Sequence, residues 1–315
     1  MNDLNSLGCQ ITKAASSFTI ALAYIGNSSA RSLTTGLRQD NGSVTLIKKT
    51  SATSNFSLFD TERGATKYIE TDDSTVETTD TATLMSFNAS GFSLGVDGST
   101  GQVNNLNDSY IALSWLKKSG FCDVVTYTGN GTNRTISHNL NAAPKFIIIK
   151  NLTQNTSWVV GHDAIGWSSY YVLDTNAAVN AGAVSEWNNT SPTSSVFTVG
   201  TGISVNGSGK EYVAYLFTSK TGKSSFGTYS GKGSSKAITG LGFEPKMVLS
   251  KRSDSTGNWD LFYNNGSSTL YRVQLDTTGA RADASSWIQF DSDGFTLLSA
   301  SSNNTGGTYI YGAWA

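Results

Sequence analysis

The sequence predicts an all-β protein made of three tandem antiparallel β-sandwich modules of about 100 residues each. Three observations support this fold class. The sequence repeats itself at that spacing, apolar residues recur at every second position, and turn residues separate one strand-length run from the next. A module of this size can bury a core of its own, so each copy is expected to be a domain.

The repeat is clearest in a Gly-rich phrase that occurs three times. It reads "AYIGNSSARSLTTGL" from Ala23, "TYTGNGTNRTISHNL" from Thr126 and "TYSGKGSSKAITGL" from Thr228. An apolar run ending in a basic residue, an aromatic-led strand and a closing aromatic strand follow each phrase in the same order. The first copy diverges most, since it lacks the proline present at Pro144 and Pro245. The shared landmarks are Gly26, Gly129 and Gly231, then Phe56, Trp158 and Trp259, then Tyr110, Tyr212 and Tyr309.

These landmarks divide the chain into an N-terminal arm, residues 1–17, and modules at 18–120, 121–222 and 223–315. The joins "KKSG" and "SKTG" are short, so the modules are expected to pack against one another rather than swing freely. The segment "SSFTIALAYIGNSSA" has the hydrophobicity of a signal-peptide core. No basic region precedes it, and the repeat predicts instead that it contains the first strand.

Within each module the periodicity predicts strands. Trp259, Leu261 and Tyr263 recur at every second position, which indicates a strand with one buried face. The run "FIIIK" is typical of a strand buried on both faces. Asn-Gly pairs are expected to form hairpin turns with positive φ at both central positions. No stretch of a dozen residues has apolar residues at helical spacing. The sequence therefore predicts that each module is a sandwich of six or seven strands, with a barrel as the alternative.

Composition limits the functions that the chain can perform. Charged residues make up 14% of it and the formal net charge is −1, against about 25% charged residues in an average protein. No basic run or apolar run of membrane-spanning length occurs, so we expect neither nucleic-acid binding nor membrane insertion. Cys9 and Cys122 fall in different parts of the chain. They are interpreted as two unpaired residues, with a bridge from the arm to the second module as the alternative.

No catalytic motif is visible, and the chain is predicted to be neither an enzyme nor a cofactor-binding protein. His138 and His162 have no second ligand at zinc spacing. The segment "RSDSTGNWD" makes Asp254 and Asp260 weak candidates for a cation site, with a polar hairpin as the alternative. Glycoside cleavage needs only two suitably placed carboxylates. Candidates for such a pair are Asp163, Glu186, Glu211, Asp254, Asp260 and Asp283.

Aromatic residues in variable loops are the candidate contacts with a ligand or partner. Rigid amphipathic rings on loops commonly stack on sugars or anchor protein contacts. The candidates are Trp167, Tyr170, Trp187 and Trp287, and packing within the loops is the alternative. By contrast, aromatic residues at repeated positions are expected in the cores. These are Phe56, Trp158 and Trp259, and the strand-ending Trp115, Phe217 and Trp314.

Residues 121–315, and more loosely 18–120, resemble a tandem β-repeat of bacteriophage virion proteins. These are tail-fibre and structural proteins of phages of aquatic bacteria, including cyanophages. The resemblance rests on the Tyr-x-Gly-x-Gly opening, on the Gly-Phe-x-Pro-Lys phrase from Gly242 to Lys246, and on the turn from Asp254 to Trp259. It implies a location on the exposed surface of the particle, tail or capsid. It supplies no catalytic residues.

Two function classes follow from this resemblance. In the first, the chain is a tail-fibre or appendage component that binds a host surface glycan or protein through solvent-facing loop aromatics. In the second, it is a capsid or tail decoration whose loops contact other virion proteins. A polysaccharide-degrading spike is a third alternative. An oligomer is expected in either class, and three modules in one chain could mimic a trimer. The lack of a heptad pattern argues against a full-length fibre.

Overall fold

The computed structural model describes residues 17–96, 103–300 and 304–315. Of the N-terminal arm only Ser17 falls in these ranges, and Cys9 lies outside them. Nearly all the regular structure is β-strand arranged in several antiparallel sheets, so the all-β prediction is confirmed. The sheets are open, which rules out the barrel considered as an alternative.

Up to Leu116, the described residues form nine strands. They are β1 (Thr19–Ile25), β2 (Arg31–Thr34), β3 (Ser43–Lys49), β4 (Phe56–Asp60), β5 (Lys67–Tyr68), β6 (Thr78–Thr79), β7 (Leu84–Asn88), β8 (Gly91–Leu94) and β9 (Ser109–Leu116). The larger sheet has the order β1-β9-β3-β4 and the smaller one β2-β8-β7, while β5 pairs with β6. The segment with signal-peptide character therefore contains strand β1, as predicted.

Residues 122–217 add a second pair of sheets. The strands are β10 (Cys122–Thr128), β11 (Arg134–Ser137), β12 (Phe146–Asn151), β13 (Val159–His162), β14 (Ser169–Val172), β15 (Asn180–Ala181), β16 (Val196–Val199) and β17 (Glu211–Phe217). A 3₁₀ turn at Asp163–Ile165 and two one-turn helices, α1 (Val184–Trp187) and α2 (Ile203–Asn206), lie in the connections. The larger sheet has the order β10-β17-β12-β13-β14-β15, and β11 pairs with β16.

The last part of the chain contributes a third pair of sheets. Its strands are β18 (Ser224–Gly231), β19 (Lys236–Thr239), β20 (Met247–Arg252), β21 (Asp260–Tyr263), β22 (Tyr271–Gln274), β23 (Ala282–Asp283), β24 (Ile288–Asp291), β25 (Gly294–Leu297) and β26 (Gly307–Trp314). The larger sheet has the order β18-β26-β20-β21-β22-β23, and the smaller one has the order β19-β25-β24.

Tight turns join the three parts. Lys118 pairs with Cys122 between β9 and β10, and Lys220 pairs with Ser224 between β17 and β18. Each turn contains a glycine in the left-handed region, Gly120 at φ 69° and Gly222 at φ 68°. A side chain with a Cβ rarely adopts this conformation, so glycine is suited to both joins.

The Asn-Gly pairs do not form the turns that the sequence predicted. Only the glycine has positive φ at Gly42, Gly131 and Gly266, and the asparagine before each does not. Asn206 ends helix α2 and is fully buried. The prediction of positive φ at both central positions is therefore wrong, because the connections here are longer than a two-residue hairpin.

The larger sheets are buried on both faces. In β12, Ile147 and Ile149 point toward the smaller sheet, while Phe146 and Ile148 point to the opposite side. One hydrophobic cluster lies between each larger sheet and its smaller sheet, and a fourth cluster fills the space where the three larger sheets meet. This fourth cluster, called the central cluster below, includes Val44, Phe56, Phe146, Trp158, Met247 and Trp259.

Candidate functional site

Three aromatic rings, one from each larger sheet, meet in the central cluster. Trp115, Phe217 and Trp314 pack edge to face with ring centroids 5.6 to 6.2 Å apart. The positive edge of one ring against the negative face of the next is a favoured geometry. The predicted core position of these strand-ending aromatics is confirmed, and the core they occupy is shared by all three larger sheets.

Each larger sheet also buries one lysine beside an aromatic ring of the central cluster. The lysines come from β3, β12 and β20, and none is more than 1% exposed. All three ammonium groups are close enough to a ring for a cation–π interaction. The distances from Nζ to the ring centroid are 4.5 Å for Lys48 over Phe56, 5.7 Å for Lys150 over Trp158 and 5.8 Å for Lys251 over Trp259.

The three ammonium groups connect distant parts of the chain through backbone carbonyls. Lys48 Nζ donates to Thr278 O at 3.0 Å, Lys150 Nζ donates to Ser74 O at 2.7 Å, and Lys251 Nζ donates to Ala177 O at 2.6 Å. The first part of the chain is thus bonded to the third, the second to the first, and the third to the second. The lysine contacts form a closed ring around the central cluster.

Indole N–H groups strengthen two sides of this ring. Trp158 Nε1 donates to Glu70 O at 2.9 Å and to Asp73 O at 3.1 Å. Trp259 Nε1 donates to Val172 O at 3.0 Å. The phenyl ring of Phe56 has no N–H to offer at the third side. There, Ser54 N and Thr71 Oγ1 donate instead, to Thr278 O and Leu275 O.

An aspartate fixes the backbone beside each of these three aromatic residues. The carboxylate oxygen accepts a hydrogen bond from the backbone N–H at the start of the strand or just before it, at 2.9 to 3.1 Å. A lysine, an aromatic ring and an aspartate therefore recur together at three places. The sets are Lys48, Phe56 and Asp72; Lys150, Trp158 and Asp174; and Lys251, Trp259 and Asp276.

Burial dominates the electrostatics of these groups. Desolvation lowers the pKa of Lys48, Lys150 and Lys251 to about 8, because the charged ammonium loses its water. Desolvation also raises the pKa of Asp72 and Asp276. An amine of lowered pKa can act as a nucleophile, but each of these ammonium groups is engaged by carbonyls and lies inside the molecule. Their arrangement suits holding three parts of the chain together.

The central cluster leaves a small apolar cavity of about 60 Å³ on the inside of the ring. All three larger sheets line it, through side chains that include Leu46, Ile148 and Leu249. No polar atom faces it. Such a cavity stays dry, since a water inside it would find no hydrogen-bonding partner.

Two of the four loop aromatics predicted as ligand contacts are buried in the second part of the chain. Trp187 is fully buried and Trp167 is 5% exposed, and their rings pack edge to face at 5.4 Å. Both lie against Gly161, where a Cβ would come within 2.4 Å of the Trp167 ring. The expectation that these rings face solvent is wrong for both, because a strand glycine leaves room for the indoles to fill the local core.

The other two predicted contacts, Tyr170 and Trp287, are half-buried. Tyr170 packs against the same local core as Trp187, and burial raises the pKa of its hydroxyl. Trp287 lies in the third part, where the Arg272 guanidinium carbon is 4.6 Å from its ring centroid. One face of Trp287 is therefore covered by a cation. The four aromatics do not form one surface.

Asp254 and Asp260, the weak cation candidates, each have partners of their own. Asp254 forms an ion pair with Arg252, at 2.9 Å from Nε to Oδ1. Asp260 is buried and accepts a hydrogen bond from Gln274 Nε2 at 2.9 Å. Within residues 17–96, 103–300 and 304–315, no group of three His, Cys, Asp or Glu side chains could hold a metal ion.

Both histidines are buried and engaged by the backbone. His138 Nδ1 accepts from Leu140 N, and burial lowers the pKa of its imidazole. His162 Nδ1 accepts from Ala164 N at 3.1 Å, and its Nε2 lies 3.2 Å from Tyr311 O in the third part of the chain. Cys122 is a buried free thiol whose pKa is raised by burial. These contacts fit the structural interpretation of the histidines.

Sequence reasoning missed the residues that organise the molecule. The three lysines stand at the ends of apolar runs, where a basic residue normally reaches solvent. Their common position in the repeat was the available signal. The same is true of three fully buried asparagines whose amides bridge neighbouring loops. They are Asn104, Asn206 and Asn304.

Comparison with known proteins adds a family but no activity. No curated protein matches the chain. Across its described part, no helix is long and apolar enough to cross a membrane. One family model, described as a domain of unknown function (DUF7483), matches residues 14–315 and so covers almost the whole sequence. The chain belongs to this DUF7483 family.

Proposed function

We propose that the chain is a non-enzymatic structural protein of a bacteriophage virion, a tail-fibre or appendage component that contributes to host attachment. Support comes from the resemblance of residues 121–315 to virion β-repeat proteins and from the low content of charged residues, 14%. In this proposal the protein lies on the exposed surface of the particle and assembles with other virion proteins. Its assembly as an oligomer, a trimer included, stays a prediction.

We also propose that the chain is three tandem sandwich modules at 18–120, 121–222 and 223–315. Support comes from the sheet orders. In each part the first strand of the larger sheet pairs with the last strand of that part, which in turn pairs with the strand that carries the buried lysine. The tight turns at Gly120 and Gly222 fall where the sequence repeat begins again.

The main support for a structural role is the closed ring of lysine contacts around the central cluster. Lys48, Lys150 and Lys251 each bond one part of the chain to another, and all three lie away from solvent. A shared core and a closed ring of contacts hold the three parts in fixed relative positions. Rigid placement of three lobes suits a protein that works by presenting surfaces.

Capsid or tail decoration is the second candidate, and an exposed apolar tip favours it. Ile25 and Leu106 are 53% and 63% exposed, and their loops are joined where Asn107 N donates to Gly26 O. Two exposed aliphatic side chains on one tip suit a contact with another protein. The burial of Trp167 and Trp187 also removes two rings that glycan binding was expected to use.

A polysaccharide-degrading spike is the least supported alternative. Glu62, Glu77 and Glu211 line one groove of about 310 Å³. Glu77 is paired with Arg63 and Lys67, and Glu62 is paired with Lys117. A neighbouring cation favours the ionised carboxylate, whereas glycoside cleavage needs one carboxylic acid that keeps its proton.

Immunogold electron microscopy of purified particles tests the proposal, with antibody raised against residues 121–315. Gold at the tail tip or on fibres is the expected result. Gold spread over the head would favour decoration. Particles that carry none of this protein would contradict the virion proposal as a whole.

A further inference from the structure

The third part of the chain has a polar cleft whose charged groups are not fully paired. The cleft, of about 240 Å³, is lined by strands β20, β21, β22 and β26, by the loop at residues 256–258, and by Ala300 and Thr305. The groove around Arg63 differs, because there Arg63 and Lys67 are both paired with Glu77. The volume is below the roughly 300–1,000 Å³ typical of sites for drug-sized ligands, so the cleft suits one small polar unit.

Arg272 is the group in this cleft with unused hydrogen-bonding capacity. Its Nε is buried without a hydrogen-bond partner among the residues that the structure describes. Its Nη1 lies 3.6 Å from Asp260 Oδ1, which is longer than a hydrogen bond. The side chain is 20% exposed and lines the cleft. A guanidinium N–H that has lost its water without gaining an acceptor is costly, and an anion bound beside this cation would offset part of that cost.

Trp287 holds this guanidinium in position. Its ring lies 4.6 Å from the Arg272 guanidinium carbon, and the planar cation stacks on an aromatic face. Arg272 is therefore fixed on one side by a ring and keeps its edge for a planar acceptor. A carboxylate is such an acceptor, because its two oxygens match the fork of guanidinium donors.

The other cleft groups suit hydroxyls. Asp260 and Gln274 bond to each other, and Asn258 and Gly257 line the cleft beside them. Carboxyl and amide groups of this kind both donate and accept, as vicinal hydroxyls do. Burial raises the pKa of Asp260 to about 6. Below that pH its carboxyl group is mostly protonated, so it no longer neutralises the positive charge of Arg272. Arg252, by contrast, is already paired with Asp254.

The corresponding place in the second part of the chain is filled with apolar side chains. Strands β13 and β14 there place Val159 and Val172 at paired positions, as β21 and β22 place Asp260 and Gln274. Val159 and Trp187 belong to the local core of the second part. The same pair of strands thus forms a packed core in one part and an open polar cleft in another.

We infer that this cleft binds a carboxylate-bearing sugar unit, with Arg272 pairing with the carboxylate and Asp260, Gln274 and Asn258 contacting the hydroxyls. That this cleft contacts a host receptor rests on the function proposed above. That it binds such a sugar rests only on the groups in the cleft. Trp287 is then a positioning residue that acts through Arg272.

Isothermal titration of the purified full-length chain tests the inference, just below pH 6, with glucuronic acid, glucose and acetate as probes. Glucuronate is expected to bind with a Kd on the order of 1 mM, and glucose and acetate at least about tenfold more weakly. Arg272→Gln should weaken glucuronate binding about tenfold or more, because a charge-assisted pair is lost. Arg272→Lys keeps the charge but not the fork, and should also weaken it.

Arg281→Gln is the matched control. Arg281 also stacks on a ring, 4.4 Å from the Tyr271 centroid, but it does not line the cleft. Its substitution should leave glucuronate binding unchanged. Equal affinity for acetate and glucuronate would contradict recognition of the sugar hydroxyls. Equal affinity for glucose and glucuronate would contradict recognition of the carboxylate. Unchanged glucuronate binding by both Arg272 variants would show that this cleft is not the binding site.

The outcomes for this site and for the proposed function are separable. Glucuronate binding by a protein that purified particles lack would leave the site standing and remove the virion role. Gold on the particles together with no glucuronate binding would support the virion role and contradict the binding site.

Discussion

At the scale of single residues, the buried lysines are the most informative feature. Lys150 lies on β12, and its ammonium group donates to Ser74 O and Thr156 O at 2.7 and 2.6 Å. An isolated buried charge would be strongly destabilising. Here two carbonyls and the face of Trp158 replace the lost water. Burying a lysine is tolerable because the backbone of another part of the chain completes its coordination.

Replacing Lys150 with Met should therefore destabilise the protein. The methionine keeps the apolar stem but leaves two carbonyls without a donor, and we expect a loss of about 2 kcal/mol in the free energy of unfolding. Lys145→Met is the control. Lys145 precedes the same strand, its side chain is 39% exposed, and its surface pair with Asp163 should be worth less than about 1 kcal/mol. Urea denaturation monitored by tryptophan fluorescence measures both. Equal losses for the two variants would contradict a structural role for the buried ammonium.

His162 makes a distinct prediction about acid. Burial lowers the pKa of its imidazole from the ordinary 6.5 to about 4. Between these pH values the unfolded chain binds a proton that the folded chain does not, so the contribution of His162 to stability is lost as the pH falls from 6.5 to 4. Asp260 acts in the opposite direction, because its raised pKa of about 6 means that the folded state holds more protons there.

Comparing the wild type with His162→Gln isolates the histidine, since Asp260 is common to both. The difference in the free energy of unfolding between the two proteins should shrink as the pH falls from 6.5 to 4. Chemical denaturation at several pH values measures it. A difference that stays constant across this range would show that His162 titrates normally in the folded protein.

At the scale of loops and strands, a buried asparagine joins neighbouring loops in the second part. Asn206 at the end of α2 donates from Nδ2 to Thr132 O and Gly200 O, at 2.6 and 2.8 Å. Its Oδ1 accepts from Asn130 N at 3.1 Å. One side chain thus fixes the loop between β10 and β11 against the loop between β16 and α2.

Asn206→Ala should release these loops. The carbonyl of the buried Gly200 loses its partner, as do Thr132 O and Asn130 N on exposed residues, and we expect a loss of about 2 kcal/mol in the free energy of unfolding. Amide hydrogen exchange should speed up selectively at residues 129–134, because this loop opens first. Asn133→Ala serves as the control, since Asn133 is exposed and bonds only to Asn188. Uniform acceleration across the whole chain would mean that Asn206 supports the global fold and not these loops.

The strands were predictable because their signal is local. The alternation of Trp259, Leu261 and Tyr263 depends only on the period of an extended chain, and the predicted strand is present as β21. The prediction of a single buried face is wrong, because all four residues of β21 are buried. The role of Asn206 could not be predicted from its local sequence. An Asn-Gly pair has a strong tendency to form turns, and only the approach of two distant loops makes a buried amide more favourable there.

The candidate site was harder to predict than the fold, for the same reason. Trp167 and Trp187 lie in loop-rich sequence, which indicates exposure, yet Gly161 leaves them a space in the core. Arg272 was not singled out at all. Its importance depends on Trp287 and Asp260, which lie on other strands or loops, and no local pattern links the three.

At the scale of the whole molecule, the central cluster joins the three larger sheets through one shared core. Each larger sheet turns an apolar face toward the other two, and the packing of Trp115, Phe217 and Trp314 involves all three. The short joins predicted contact between the parts, and alternation predicted one buried face. The run "FIIIK" also predicted a strand buried on both faces, and β12 has this form. What no run could reveal is which partner covers the second face, because an apolar run is compatible with many partners.

The shared cluster predicts that residues 121–222 do not behave as an independent domain. Expressed alone, this segment would expose Phe146, Trp158, Val213, Tyr215 and Phe217 on one face of its larger sheet. An apolar patch of this kind drives association, and the carbonyl of Ser74 that receives Lys150 would be absent. We therefore expect the isolated segment to self-associate and to bind a hydrophobic dye.

Light scattering measures the self-association of the isolated segment and dye fluorescence measures its exposed apolar surface, with the 315-residue chain as the reference. In the full-length chain the same coupling should give one cooperative thermal transition, with equal calorimetric and van't Hoff enthalpies. A segment that remains monomeric, binds no dye and unfolds cooperatively would show that its own sandwich core suffices. The larger sheets would then meet only as finished domains, and the lysine ring would contribute orientation but little stability.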